Sequence, residues 1–131
     1  MSHSFPVPTT MDIEGYRFFL TAADVNFDEA EKCCQAYGAI LASPETTAAQ
    51  QALMSFAQYN EAWIGLKDYF VSGENSAYFG WKWMYTDNEA TDISWVEGEP
   101  SYQGHGCFVI QQAGIAERNC DNLKLVACDL K

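Results

Sequence analysis

The chain lacks any unbroken apolar run near the roughly 20 residues that a membrane-spanning helix needs, so no membrane insertion is expected. Basic residues are also scarce, with seven Lys and Arg against eighteen Asp and Glu and a formal net charge of -11. Nucleic acid and anionic membranes both reward clustered cations, so neither is expected as a partner. The same acidity suits cation binding, or simply a well-solvated surface. Histidine is limited to His3 and His105, and no Cys-x-x-Cys pair occurs, which argues against a zinc site. No Ser-His-Asp or Cys-His constellation is apparent. Glycoside hydrolysis wants two carboxyls flanking a cleft, and Glu97 and Glu99, so close together on one segment, are not read as such a pair. No enzyme is expected. The start, Met1 to Pro6, has neither the basic flank nor the apolar stretch of a secretory signal. It suggests an intracellular protein or a mature form with an added start.

What is present points the other way on location. Cys33, Cys34, Cys107, Cys120 and Cys128 read as a disulfide framework with one thiol left over. Disulfides imply an oxidising compartment, and this outweighs the missing leader, so a secreted protein is expected. A length of 131 residues suits one compact domain, and 15% aromatic residues supply the bulk for a core.

Residues 1–15, with Pro6, Pro8 and paired threonines, read as a flexible lead-in to a single domain over 16–131. Tyr16 to Thr21 has the aromatic content of a strand. Asn26 with Glu29 reads as a capping box, followed by Phe27, Ala30, Cys34 and Tyr37 at helical spacing, with Gly38 closing the helix. Cys34 lies on that apolar face and Cys33 about a quarter-turn away, so Cys34 is the better candidate for a buried bridge. A second helix is expected from Ser43 as N-cap with Pro44 at its first position, striped by Ala49, Leu53 and Phe56. Short apolar runs at 62–66, 79–83, 107–110 and 124–128 read as strands of a mainly antiparallel sheet. The polar stretch between Tyr85 and Gly106 reads as a long loop, a length that is usually functional or disordered. The order gives one α+β domain: two helices packed on sheets.

The run Cys34, Gly38 and Ala39-Ile40-Leu41-Ala42-Ser43, then Trp63-Ile64-Gly65-Leu66, then Trp95 before Gly98-Glu99-Pro100, and finally Cys107, Cys120 and Cys128, resembles a C-type lectin-like domain over roughly residues 16–130. The resemblance implies a C-type lectin-like fold with a long disulfide-pinned loop and the bridges Cys34–Cys128 and Cys107–Cys120. Cys33 is left as a half-buried free thiol, a route to a homodimer through an intermolecular disulfide, or an alternative partner in place of Cys34.

The resemblance also implies a chemistry for the loop. In sugar-binding members, an acid-proline-amide tripeptide, a further acid before the next cysteine and an Asn-Asp pair on the following strand hold calcium, and two sugar hydroxyls complete its shell. Here Glu99 stands at the first carboxylate, Pro100 can take the cis form, and Ser101 replaces the amide. His105 or a neighbour replaces the second acid, and the Asn-Asp pair falls on Ala116 and Glu117, with Ile115 at the usual tryptophan. The implied metal ligands are Glu99, Ser101 and Glu117, with calcium as cofactor. The implied sugar contacts are Glu99, Ser101, Tyr102, His105 and Glu117. Tyr102 could stack on a sugar ring and favours galactose-type over mannose-type sugars, in a Glu-Pro-Ser variant found among invertebrate members. The alternative is a protein-interaction domain with a degenerate calcium site. The acidic turn Asp87-Asn88-Glu89, with Asp92 nearby, is a candidate auxiliary calcium site, although its spacing lacks the EF-hand pattern. The four tryptophans read as core.

Overall fold

A computed structural model describes residues 7–22, 24–68, 80–99 and 106–130. Among the described residues the chain forms two helices, ten short strands and two disulfides. The first strands, β1 (Met11–Ile13) and β2 (Tyr16–Leu20), form an antiparallel hairpin. Glu14 and Gly15 make its turn with φ of 51° and 86°. Positive φ at both central residues gives the twist that a two-residue hairpin favours. Residues 11–13 therefore belong to the sheet rather than to the expected lead-in, because the Glu-Gly turn folds them back onto β2.

Helix α1 (Phe27–Gln35) begins as the sequence suggests, with Asn26 Oδ1 accepting from the Glu29 amide at 3.0 Å. It buries Ala30 and Cys34. Helix α2 (Thr47–Ala57) starts later than expected. Thr46 is its N-cap, accepting from the Ala49 amide at 3.0 Å, while Ser43 is buried and donates to the Gly65 carbonyl at 3.4 Å. The threonine hydroxyl captures the helix end because Ser43 is already committed to the strand region beside Gly65.

The remaining strands are β3 (Ile40–Leu41), β4 (Ala62–Ile64), β5 (Leu66–Asp68), β6 (Trp81–Trp83), β7 (Glu89–Ala90), β8 (Cys107–Gln111), β9 (Gly114–Arg118) and β10 (Leu125–Asp129). Among the described residues the larger sheet runs β1-β2-β10-β4-β8-β9, with β3 also on β10, and β5-β6-β7 form a second sheet. Strand pairing is antiparallel except between β10 and β4. The expected continuous run 62–66 is broken at Gly65, where a side chain would lie 2.6 Å from Ser43 Oγ. The chain changes sheet there. One apolar cluster joins Phe18, Leu53, Ile64, Trp83, Phe108 and Ile115, and a second joins Phe19, Cys34, Trp63, Val109, Ala116 and Cys128. Trp63 and Trp83 are fully buried, and Trp81 and Trp95 pack against the first cluster. Cys34 is bonded to Cys128, tying α1 to β10, and Cys107 to Cys120, tying the start of β8 to the segment after β9. Cys33 is a half-buried free thiol.

Candidate functional site

The segment leading to Glu99 has little regular structure of its own and is positioned from three sides. Gln50, fully buried in α2, donates from Nε2 to the Asp92 carbonyl at 2.9 Å and accepts the Ser94 amide at Oε1 at 2.8 Å. The Ile115 amide donates to the Ser94 carbonyl at 2.7 Å, and the Val96 amide donates to the Ile115 carbonyl at 2.9 Å. Gly114 makes this close approach possible. Its φ is 134°, and a Cβ there would run into the Ser94 carbonyl oxygen. Trp95 then packs edge-on to Trp81, with ring centroids 5.0 Å apart, and tilted on Phe108 at 5.9 Å. A turn at Gly98 (φ 89°), with the Glu99 amide donating to the Val96 carbonyl at 2.9 Å, brings Glu99 back toward β9.

Glu99 and Glu117 meet there. Glu99 Oε1 accepts the Glu117 amide at 3.1 Å, and Glu117 Oε2 accepts the Gly106 amide at 2.9 Å. Glu117 is 5% exposed. The pair thus sits at the foot of segment 100–105, gripping it from its last residue before and its first residue after. Pro100, Ser101, Tyr102 and His105 lie outside the described residues. Ala116 is fully buried in the second cluster with Cys107 and Val109, so its side chain offers nothing to a ligand. Ile115, at the position of the family's tryptophan, packs in the first cluster.

A basic network backs the pair and was missed from sequence. Arg118 Nη1 lies 3.6 Å from Glu99 Oε2 and donates to the Glu117 carbonyl at 2.9 Å. Its Nε and Nη2 reach Glu61 at 3.1 and 2.7 Å. Lys124 Nζ also reaches Glu61, at 2.7 Å. Burial alone would raise the Glu61 carboxyl, but hydrogen bonds from Arg118 and Lys124 outweigh it and hold the group below its ordinary value. The Glu61 hydrogen bond in turn holds Arg118 above its usual range. The available signal was a basic residue directly after a candidate ligand.

The donor chemistry suits a hard cation. Calcium takes about six to eight oxygens from carboxylates, carbonyls and water. Glu99 places a carboxylate against the Glu117 main chain and Glu117 places one against the Gly106 amide, which is fewer oxygens than calcium takes. Among the described residues no group of three or more His, Cys, Asp and Glu side chains is gathered tightly enough to hold a metal. This applies to Asp87, Glu89 and Asp92 as well. Asn88, in the same turn, instead donates to Glu45 Oε1 at 2.9 Å, and Lys82 pairs with Asp87 at 3.5 Å.

Residues 23–130 match the model of the Lectin C-type domain family. The chain belongs to the C-type lectin domain family. Members of this family are generally not enzymes and are often extracellular, and many bind calcium. The same architecture appears in the carbohydrate-recognition domain of the human scavenger receptor C-type lectin, with a TM-score of 0.74 and 22% identity over 96% of this chain and 98% of that one. It appears in the cow CD23 carbohydrate-recognition domain, solved in the presence of a GlcNAc2Man3 oligosaccharide, with a TM-score of 0.74 and 21% identity over 97% and 96%. Human lithostathine gives a TM-score of 0.72 and 20% identity over 93% and 96%. At these identities the likeness establishes the fold of this C-type lectin domain. No helix among the described residues is long and apolar enough to cross a membrane.

Proposed function

We propose that this C-type lectin domain is a secreted, calcium-dependent carbohydrate-binding module whose site lies at Glu99-Pro100-Ser101. The observation that carries this reading is the meeting of Glu99 and Glu117 at the foot of segment 100–105. In this reading Glu99, Ser101 and Glu117 hold calcium, with backbone carbonyls and water completing a weak site. The bound ion would supply a point at which vicinal sugar hydroxyls are held. Glu99, Ser101, Glu117 and His105 would hydrogen-bond the sugar. Tyr102 would stack on the C–H face of a galactose-type ring. An open site of this kind binds one sugar weakly, so avidity from several copies is expected, with a homodimer through Cys33 as one route.

Retention on an immobilised galactose resin in millimolar calcium, lost on chelation and lost in Glu99→Gln, is the expected result. Retention in excess chelator contradicts the calcium part. A second reading, a protein-interaction domain with no sugar binding, is favoured by one contact: Arg118 Nη1 facing Glu99 Oε2 at 3.6 Å already balances one carboxylate. A glycan array blank with and without calcium, together with binding of a protein ligand, would decide for it.

A further inference from the structure

Helix α2 carries no charged side chain, and neither do Thr46 before it nor Gln58, Tyr59 and Asn60 after it. In a chain with eighteen acidic and seven basic residues, the solvent side of a helix is where charges ordinarily collect. Here that side shows Thr47, Gln51, Ser55 and Gln58 instead, all exposed and spaced so that they share one stripe. The stripe ends at Tyr59, which is 88% exposed. The backbone imposes that placement, because Gln58 has φ 55° and ψ -128°, a conformation that residues with a side chain seldom adopt. The Gln58 amide donates to the Met54 carbonyl at 3.2 Å, and its carbonyl accepts the Gln112 amide at 2.7 Å. Helix and β8–β9 turn thus hold the strain from both sides, and strain held in this way concentrates at binding sites. We propose that the outer face of α2, ending at Tyr59, is a metal-independent binding site for a neutral oligosaccharide, with the Tyr59 ring as its platform.

This site is separate from the Glu99–Glu117 pair and does not rest on it. Gln112 lies at the β8–β9 turn, whereas Gly106 and Glu117 lie toward the other end of the five-residue strands, about 14 Å away. Amide and hydroxyl side chains each donate and accept, which matches a ligand whose polar groups are all hydroxyls. The electron-rich face of the Tyr59 ring attracts the C–H bonds on the flat side of a sugar ring. The absence of charge matters too, because a fixed charge on this face would call for a counter-charge that a neutral sugar lacks. The first acid beyond the stripe, Glu61, has both oxygens engaged by Arg118, Lys124 and Gln111. A protein partner would want several apolar anchors packed together, and Tyr59 is the one large apolar side chain along the stripe. The eleven residues of α2 span about 16 Å, a length that suits a short oligosaccharide rather than a single ring.

The test is a nitrogen-edited NMR titration of the full chain in excess chelator, with cellotetraose, maltotetraose and mannotetraose as probes. At least one probe should move the amides of Tyr59, Asn60 and Gln112 with a shared midpoint. Tyr59→Ala should bind that probe about tenfold more weakly, whereas Tyr59→Phe, which keeps the ring face, should bind it as wild type does. Both variants should melt with wild type, since the side chain is exposed. No movement of these amides with any probe overturns the proposal, as does an unchanged midpoint in Tyr59→Ala. Movement confined to the Gly106 and Glu117 amides overturns it as well. If the Tyr59 amide moves on simple dilution of the protein without sugar, the face belongs to a second copy of this chain and the proposal falls. Because the titration is run in chelator, none of these outcomes bears on the calcium reading, which the galactose resin tests.

Discussion

Two of the seven basic residues, Arg118 and Lys124, converge on one carboxylate, Glu61, each at 2.7 Å. Gln111 Nε2 adds a further bond at 2.8 Å, so both Glu61 oxygens are engaged. In a chain this acidic, placing scarce cations on a half-buried acid relieves a desolvation cost that an exposed acid would not incur. Because the folded Glu61 titrates below its ordinary value, its contribution to stability is present above that ordinary value. It is lost as pH falls through the lower, folded one. Chemical denaturation between pH 7 and pH 3 should therefore show a steeper acid loss in wild type than in Glu61→Gln. Glu61→Ala at pH 7 should cost about 2 kcal/mol, since it strands Arg118 and Lys124. An unchanged acid limb in Glu61→Gln would contradict this account. The residue that contacts both Glu99 and Glu61, Arg118, was not singled out in the sequence. Glu99 and Glu117 were named there only because the resemblance implies a pattern counted from Pro100 and Cys120. Arg118 acts through Glu61, 57 positions earlier, and only the β4–β8–β9 pairing brings the two together.

At the scale of elements, the irregular segment 91–99 is set by α2 and β9 rather than by its own composition. Gln50 fills both the acceptor need of the Ser94 amide and the donor need of the Asp92 carbonyl from within a buried helix face. Gln50→Leu should destabilise by about 2 kcal/mol by leaving those backbone groups unpaired, and should weaken calcium binding without touching a ligand. Gly114→Ala should be at least as costly, since both its φ of 134° and the Ser94 carbonyl oppose a side chain. Denaturant melts of the two variants check both statements, and a neutral Gly114→Ala would contradict the close approach. The strand β9 was implied by the resemblance but not by the residue pattern. Gly114-Ile115-Ala116-Glu117 buries residues on both faces, so the alternation that flags a half-exposed strand is missing. The β1–β2 hairpin was missed for a different reason. Its turn residues, Glu14 and Gly15, are a weaker signal than the Asn-Gly or Asp-Gly pairs that announce such turns. The helices were legible because caps and apolar spacing are local, and the error at α2 was a choice between two nearby hydroxyls.

For the whole molecule, the larger sheet joins the start of the chain to its end through β2 and β10, and Cys34–Cys128 locks that closure with a sequence separation of 94. A bridge closing so long a loop removes unfolded-state freedom amounting to about 4–5 kcal/mol. The double substitution of Cys34 and Cys128 by Ala should lower stability by that order, whereas Cys107–Cys120, with a separation of 13, should matter less to the fold and more to the loop foot. If the double variant melts within a few degrees of wild type, the closure is not what stabilises this domain. Fold and bridges were readable because cysteine order and the Trp63-Ile64-Gly65-Leu66 run carry the family resemblance, which implies both. Function was less readable, because the proposed reading turns on whether Glu99 and Glu117 act together at one point.

That point is tested most directly by titrating calcium into wild type, Glu99→Gln and Glu117→Gln in a calorimeter. The account predicts one weak, saturable site in wild type that each substitution abolishes, with both variants still folded. Equal calcium heats in all three proteins, or none in wild type, would contradict a metal site built on Glu99 and Glu117.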